Sequence, residues 1–311
     1  MRAVGFAALA LVIAGGVAAG HLADGGPVVR SIALPTGVTL EYAEQGRPDG
    51  VPVVLLHGYT DSRHSWNLVL PRLPDRYRVF AISQRGHGES SKPFDEYRGA
   101  DFAGDIGAFL DAKKIDRAII VGHSMGSMVA QQFTIDNPSR VQALVLTGAF
   151  YVRRDHPVLV DFWNQAISTL PDQVDSQFVL DFQTSTVTKP LAPEFLATIL
   201  GETARVPGYV WRNAFREFLR TDLTSGVGTI TAPTLIIWGD RDAYSVRQDQ
   251  DSLVTKIRGA KLLTYEGIGH AANWEVPERF AEDLVSFLDG QKGRRAGGQT
   301  DCKLPCCRSC D

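Results

Sequence analysis

Apolar residues recur along this chain with two different periods. Short runs that are apolar at nearly every position, or at alternate positions, occur at 38–43 (VTLEYA), 51–57 (VPVVLLH), 77–83 (YRVFAIS), 117–122 (RAIIVG), 141–148 (VQALVLTG), 234–239 (TLIIWG) and 260–266 (AKLLTYE). Most are rich in β-branched residues and bounded by Gly, Pro or Asp, which predicts buried strands. Several are apolar on both faces. A strand tolerates that only where helices cover both sides of its sheet, so a largely parallel sheet is expected.

Helical spacing fills the gaps. Asp101 to Lys113 places Phe102, Ile106, Phe109 and Leu110 on one face, Met125 to Asp136 forms a second helix, and Pro277 to Leu288 carries Phe280, Leu284, Phe287 and Leu288 on one side. Strand and helix in alternation imply a doubly wound α/β fold, in which ligands bind beyond the carboxyl ends of the strands. The alternation stops between residues 151 and 228. Four helical segments are expected there, near 157–170, 173–184, 193–206 and 208–221, with Pro171, Pro190, Pro193 and Pro207 at the seams. Inserted ahead of the last two strands, they would form a cap over the carboxyl edge. Their aromatics, Phe162, Trp163, Phe178, Phe182, Trp211, Phe215 and Phe218, divide between the cap's own packing and an apolar pocket, and spacing does not sort one set from the other.

The two ends stand apart from this pattern. Arg2 followed by an apolar segment from Ala3 to about Ala19 and by small residues reads as an export signal, with an uncleaved membrane anchor as the alternative. Secretion or a periplasmic location is therefore expected. All four cysteines, Cys302, Cys306, Cys307 and Cys310, follow the polar stretch GQKGRRAGG, without the paired spacing of a zinc site. The expected organisation is a signal at 1–23, an α/β core at 31–150 and 229–289, a helical cap at 151–228 and a flexible tail at 290–311. With 311 residues, 44% hydrophobic, 22% charged and a net charge of −3, the body has the composition of an ordinary globular protein, and no basic run invites nucleic acid.

Candidate chemistry lies at the predicted strand ends. VGHSMGS places Ser124 between Gly122 and Gly126, where a buried strand hands over to a helix. Alone, this is either a turn with a capping serine or a nucleophile on a bend too tight for larger side chains. A serine nucleophile needs a base and a carboxylate to orient it. WGDRDAYS, after the next-to-last strand, offers Asp240 and Asp242; EGIGHAANWEVPERF, after the last strand, offers His270. Asp240 directly follows Trp238-Gly239 and suits a turn cap, whereas Asp242 can reach the histidine. His123 and His87 read as structural or pocket-edge residues. HGYTDSRHSW follows the first strongly buried strand, and its His57-Gly58 turn would aim the Tyr59 N–H at the same place as the Met125 N–H, two donors for an oxyanion.

On HGYTDSRHSW, SQRGHGES, GHSMGS, WGDRDAYS and GIGHAANWEVPERF, in that order, the chain from about Ser31 to Leu288 resembles the α/β-hydrolase superfamily, and within it the capped serine esterases and the cofactor-free haloperoxidase-like (perhydrolase) group. The resemblance implies a triad of Ser124, Asp242 and His270, an oxyanion hole of Tyr59 and Met125, no metal or organic cofactor, and a small-molecule ester as substrate. Carbon-carbon bond hydrolysis, lactone hydrolysis, perhydrolase activity and a catalytically silent ligand-binding module are the competing readings. Dehalogenases and epoxide hydrolases of this fold use an aspartate where Ser124 stands. Two positions depart from the family pattern: Ser83 replaces the usual Asp ahead of RGHG, and Ser127 stands where a third glycine is common.

Overall fold

The computed structural model describes residues 26–292. The segment read as an export signal and the four cysteines lie outside the described residues. Eight strands form one sheet: β1 (Val28–Ala33), β2 (Thr39–Gln45), β3 (Val51–Leu56), β4 (Tyr77–Ile82), β5 (Ala118–His123), β6 (Val141–Thr147), β7 (Thr234–Gly239) and β8 (Lys261–Tyr265). Their order is β1-β2-β4-β3-β5-β6-β7-β8. β1 and β2 pair antiparallel, β2 runs antiparallel to β4, and every other pairing is parallel.

The doubly apolar strands explain the layering. Val54, Leu56, Ile120, Leu144, Leu146 and Ile236 belong to one core cluster, while their chain neighbours Val53, Leu55, Ile119, Val121, Val145 and Leu235 belong to another. Alternate side chains leave a strand on opposite faces, so two cores are built from one set of strands. α1 (Gly99–Ala112) and α2 (Met125–Asp136) cover the first face, through Phe102, Ile106, Phe109 and Phe133; α9 (Pro277–Lys292) covers the second, through Phe280, Leu284 and Leu288. Burying each such side chain stabilises the fold by about 1.5–3 kcal/mol.

Four helices lie between β6 and β7: α3 (Pro157–Phe162), continued by one wider turn at Trp163–Ile167, then α4 (Ser176–Ser185), α5 (Pro193–Ala204) and α6 (Gly208–Arg220). α5 and α6 begin at or just after the seam prolines, Pro193 being the first residue of α5 and Pro207 capping α6.

Some elements differ from the expectation. β1 was not anticipated because its residues are nearly all exposed, so no buried face marks it. α7 (Arg247–Lys256) and the short α8 (Ala272–Glu275) also escaped; α7 is a polar helix with Asp249, Gln250 and Leu253 turned inward, too narrow an apolar stripe to read as a period. α9 continues past Leu288 to Lys292, into the stretch expected to be flexible.

Candidate active site

The bend after β5 is as tight as the glycines imply. A Cβ at Gly122 would lie 2.2 Å from the Gly126 carbonyl oxygen, and one at Gly126 would lie 2.3 Å from that of Leu56. Neither position admits a side chain. Between them Ser124 is held at φ 52°, ψ −115°, a backbone region that costs an L-residue about 1–3 kcal/mol. Its side chain makes no capping hydrogen bond to α2, which removes the reading of Ser124 as a helix cap. The backbone is locked instead by Ser124 N–H donating to Thr147 O at 3.0 Å and Gly126 N–H donating to His57 O at 3.0 Å.

Asp242 and His270 meet. His270 Nδ1 lies 2.8 Å from Asp242 Oδ2, and both side chains are buried. Asp242 also accepts from the N–H groups of Tyr244 and Ser245 and from Ser245 Oγ at 2.8, 3.0 and 2.5 Å. Burial alone would raise the Asp242 pKa; the charge and hydrogen bond of His270, with these donors, outweigh it and hold the carboxyl below its usual range. Such a carboxylate can keep one histidine tautomer in place, leaving Nε2 free to take a proton. Asp240 goes elsewhere: it accepts from Gly267 N–H at 2.7 Å and fixes the turn ahead of the histidine. At Gly148, φ 52°, an added Cβ would lie 3.0 Å from the His270 ring, so the residue that follows β6 is small enough to seat the imidazole.

Ser124, His270, Gly58 and Tyr59 border one cavity. Its wall is largely aromatic: Phe150 and Tyr244 from the core, and Phe162, Phe182, Phe215 and Phe218 from the inserted helices. The remaining cap aromatics pack rather than line, with Phe178 against Trp211 at 5.7 Å between ring centroids and Trp163 stacked on Phe215 at 6.3 Å. Tyr59 is anchored at its side chain, its hydroxyl donating to Trp211 O at 2.6 Å, while the backbone N–H groups of Tyr59 and Met125 donate to no group among the described residues.

Three further histidines, His57, His87 and His123, are buried around the site. His57 Nε2 accepts from Gln84 N–H at 2.9 Å, so its proton sits on Nδ1 and is donated to Gly58 O at 2.7 Å. Burial pushes His87 down to about 4 and His123 to about 3, the latter contacting the His270 carbonyl through Nε2 at 3.2 Å. At the departure noted above, the carboxylate expected at position 83 is supplied by β2: Ser83 Oγ donates to Glu41 Oε2 at 2.8 Å, and Arg63 Nε donates to Glu41 Oε1 at 2.9 Å. Ser127 Oγ is buried without a partner among the described residues.

Three further residues at this site were not anticipated. Asp61 and Gln183 border the cavity, joined by a 3.0 Å hydrogen bond from Gln183 Nε2 to Asp61 Oδ1. Glu275 accepts from Gly269 N–H through one oxygen and from Thr188 N–H, Thr188 Oγ and Lys189 N–H through the other. It thereby ties the α4–α5 connection to the histidine loop. Only tertiary contact marks these side chains, since each lies in a loop or on a helix with no local signal of its partner.

Residues 51–277 match the model of the alpha/beta hydrolase fold family. Epoxide hydrolase 1 of Caenorhabditis elegans is 29% identical to this chain over 281 residues, covering 81% of it and 68% of the relative. The pimeloyl-acyl-carrier-protein methyl ester esterase of Neisseria meningitidis serogroup A is 27% identical over 273 residues, covering 85% of each. A solved hydrolase from Pseudomonas aeruginosa superposes with a TM-score of 0.74 at 26% identity, over 84% of this chain and 98% of that one. With its mostly parallel sheet, its strained serine bend after β5 and a family match running from β3 to the start of α9, the chain belongs to the alpha/beta hydrolase fold family.

Proposed function

We propose that this hydrolase cleaves carboxylic esters with small or medium acyl and alcohol groups through an acyl-enzyme on Ser124. The observation that carries this reading is the buried Asp242–His270 pair at 2.8 Å, whose histidine borders the same cavity as a serine held at φ 52°. In the proposed reaction His270 Nε2 takes the Ser124 proton as Oγ attacks the ester carbonyl. The oxyanion is held by the Tyr59 and Met125 N–H groups, the latter at the positive end of α2. His270 then protonates the leaving alcohol, and water, deprotonated in turn by His270, releases the acid. Epoxide opening on this fold requires a carboxylate where Ser124 stands, so the epoxide hydrolase likeness is read as one of fold. The esterase likeness accords with the serine.

Residues 151–228 act in this reading as the cap that closes the cavity, and the first 23 residues as an export signal. The test is hydrolysis of p-nitrophenyl acetate and butyrate by the chain lacking residues 1–23 and by its Ser124→Ala variant. The variant is expected to lose about a thousandfold or more in kcat. Unchanged activity would place the chemistry elsewhere. A covered pocket also predicts butyrate turned over faster than palmitate, and a preference for palmitate would refute it.

A further inference from the structure

The cavity wall is largely apolar and aromatic, but away from the triad it carries an adjoining carboxyl and carboxamide, Asp61 and Gln183. Asp61 is almost fully buried and forms no ion pair with a Lys or Arg among the described residues; it is held by Gln183 Nε2 at 3.0 Å, by Ser65 Oγ at a long 3.4 Å and by the Gly58 backbone. A carboxyl group has acceptor room for about four hydrogen bonds, so this one is under-satisfied. Gln183 is equally buried, and its Oε1 has no partner among the described residues. Two adjoining residues with spare polar capacity, in a pocket walled mostly by aromatic side chains, are costly unless something occupies them.

Their location says what. Asp61 closes the turn that begins at Gly58, its N–H donating to Gly58 O at 3.3 Å. A side chain at Gly58 would start 2.9 Å from Asp61 Oδ2, so the carboxyl group lies against the residue preceding the Tyr59 N–H. A group that meets Asp61 is therefore close to the place where the scissile carbonyl oxygen would sit. We infer that Asp61 and Gln183 form a polar subsite that receives a hydroxyl group carried by the acyl part of the substrate, one or two carbons from the scissile carbonyl. Both Gln183 Nε2 hydrogens are committed, to Asp61 Oδ1 at 3.0 Å and to Thr203 Oγ1 at 2.7 Å, so the spare capacity is that of acceptors, on the Asp61 carboxyl and on Gln183 Oε1, and a hydroxyl supplies the donor they lack; the aromatic wall then takes the rest of the acyl chain. The substrate class is thereby narrowed from plain esters to hydroxy-acyl esters. This inference rests on the ester-hydrolase reading above.

The experiment compares ethyl butyrate with ethyl 2-hydroxybutyrate and ethyl 3-hydroxybutyrate, followed by acid release at constant pH, for the wild type, Asp61→Leu and Gln183→Leu. In the wild type, kcat/KM for one of the hydroxy esters is expected to exceed that for butyrate by at least about tenfold. In both variants the ratio should fall towards one, by a rise in KM for the hydroxy ester. Gln183→Leu keeps the test open where Asp61→Leu does not fold. Equal turnover of all three esters by the wild type, or a preference that survives in a folded variant, would overturn the subsite alone. A better rate with ethyl 4-aminobutyrate than with either hydroxy ester would overturn it in favour of a cation site. Absence of any turnover by the wild type, with no labelling of Ser124 by a fluorophosphonate, would overturn the ester reading and the subsite with it.

Discussion

The carbonyl oxygen of Thr186 accepts the backbone N–H of His270 at 2.9 Å. The inserted helices thus hold the histidine loop directly, and Glu275 repeats the link through Gly269 on one side and Thr188 and Lys189 on the other. Removing the carboxylate by Glu275→Ala leaves these donors without an acceptor, at a cost of about 1–3 kcal/mol. The expected outcome is a kcat for p-nitrophenyl butyrate lowered about tenfold, more than the thermal midpoint alone would explain, with Glu275→Gln intermediate. A kcat equal to the wild type in a folded Glu275→Ala would show that the link does not position His270.

Ser124 is strained for the sake of its placement. Glycine adopts φ 52° without the Cβ penalty, so Ser124→Gly is expected to raise stability by about 1 kcal/mol while abolishing ester hydrolysis. Urea denaturation of the two proteins checks this, and a less stable glycine variant would contradict the strain. Gly122→Ala acts in the opposite sense: its methyl group would meet a backbone oxygen at 2.2 Å, and a loss of about 3 kcal/mol or failure to fold is expected.

The two aspartates of the loop after β7 should separate cleanly. Asp242 holds the His270 ring, so Asp242→Asn is expected to lower kcat by about 10⁴-fold. Among the described residues Asp240 accepts from the Gly267 N–H and does not touch His270, so Asp240→Asn should keep kcat within a few-fold of wild type. Steady-state kinetics on p-nitrophenyl acetate distinguishes them, and a reversed order would exchange their roles.

Stability should carry the mark of Asp61. Burial, only partly offset by Gln183, Ser65 and the His270 charge, raises its pKa from 3.8 to about 7. Between those values the folded chain keeps a proton that the unfolded chain has released. Stability from this group is therefore present in acid, falls as pH rises from about 4 to about 7, and is level above, a change on the order of 4 kcal/mol. Asp242 works the other way: its lowered pKa gives stability above about 4 that is lost as pH falls further. Urea midpoints at pH 5 and 8 should converge for Asp61→Asn relative to wild type. An unchanged difference would assign the dependence to another group.

Much of this was readable from residue order alone because the physics involved is local. Seven strand runs, the glycines around Ser124 and the placement of Asp242 and His270 just past β7 and β8 follow from side-chain periodicity and from where a chain of small residues must turn. The expectation of Asp242 rather than Asp240 came from reach along the loop; in the structure Asp242 pairs with His270 Nδ1 and Asp240 accepts from the Gly267 N–H. Contacts between distant segments carry no such periodicity. Glu41 replaces the missing carboxylate beside Ser83 from 42 positions away, Gln183 reaches Asp61 across 122, and Thr186 grips the His270 loop. Which cap aromatics face the cavity was equally beyond any count of spacing, since a phenylalanine buried in packing and one lining a pocket have the same sequence. Those relations exist only once the sheet has set the loops side by side and the inserted helices have settled over them, because they depend on distances that chain separation does not constrain.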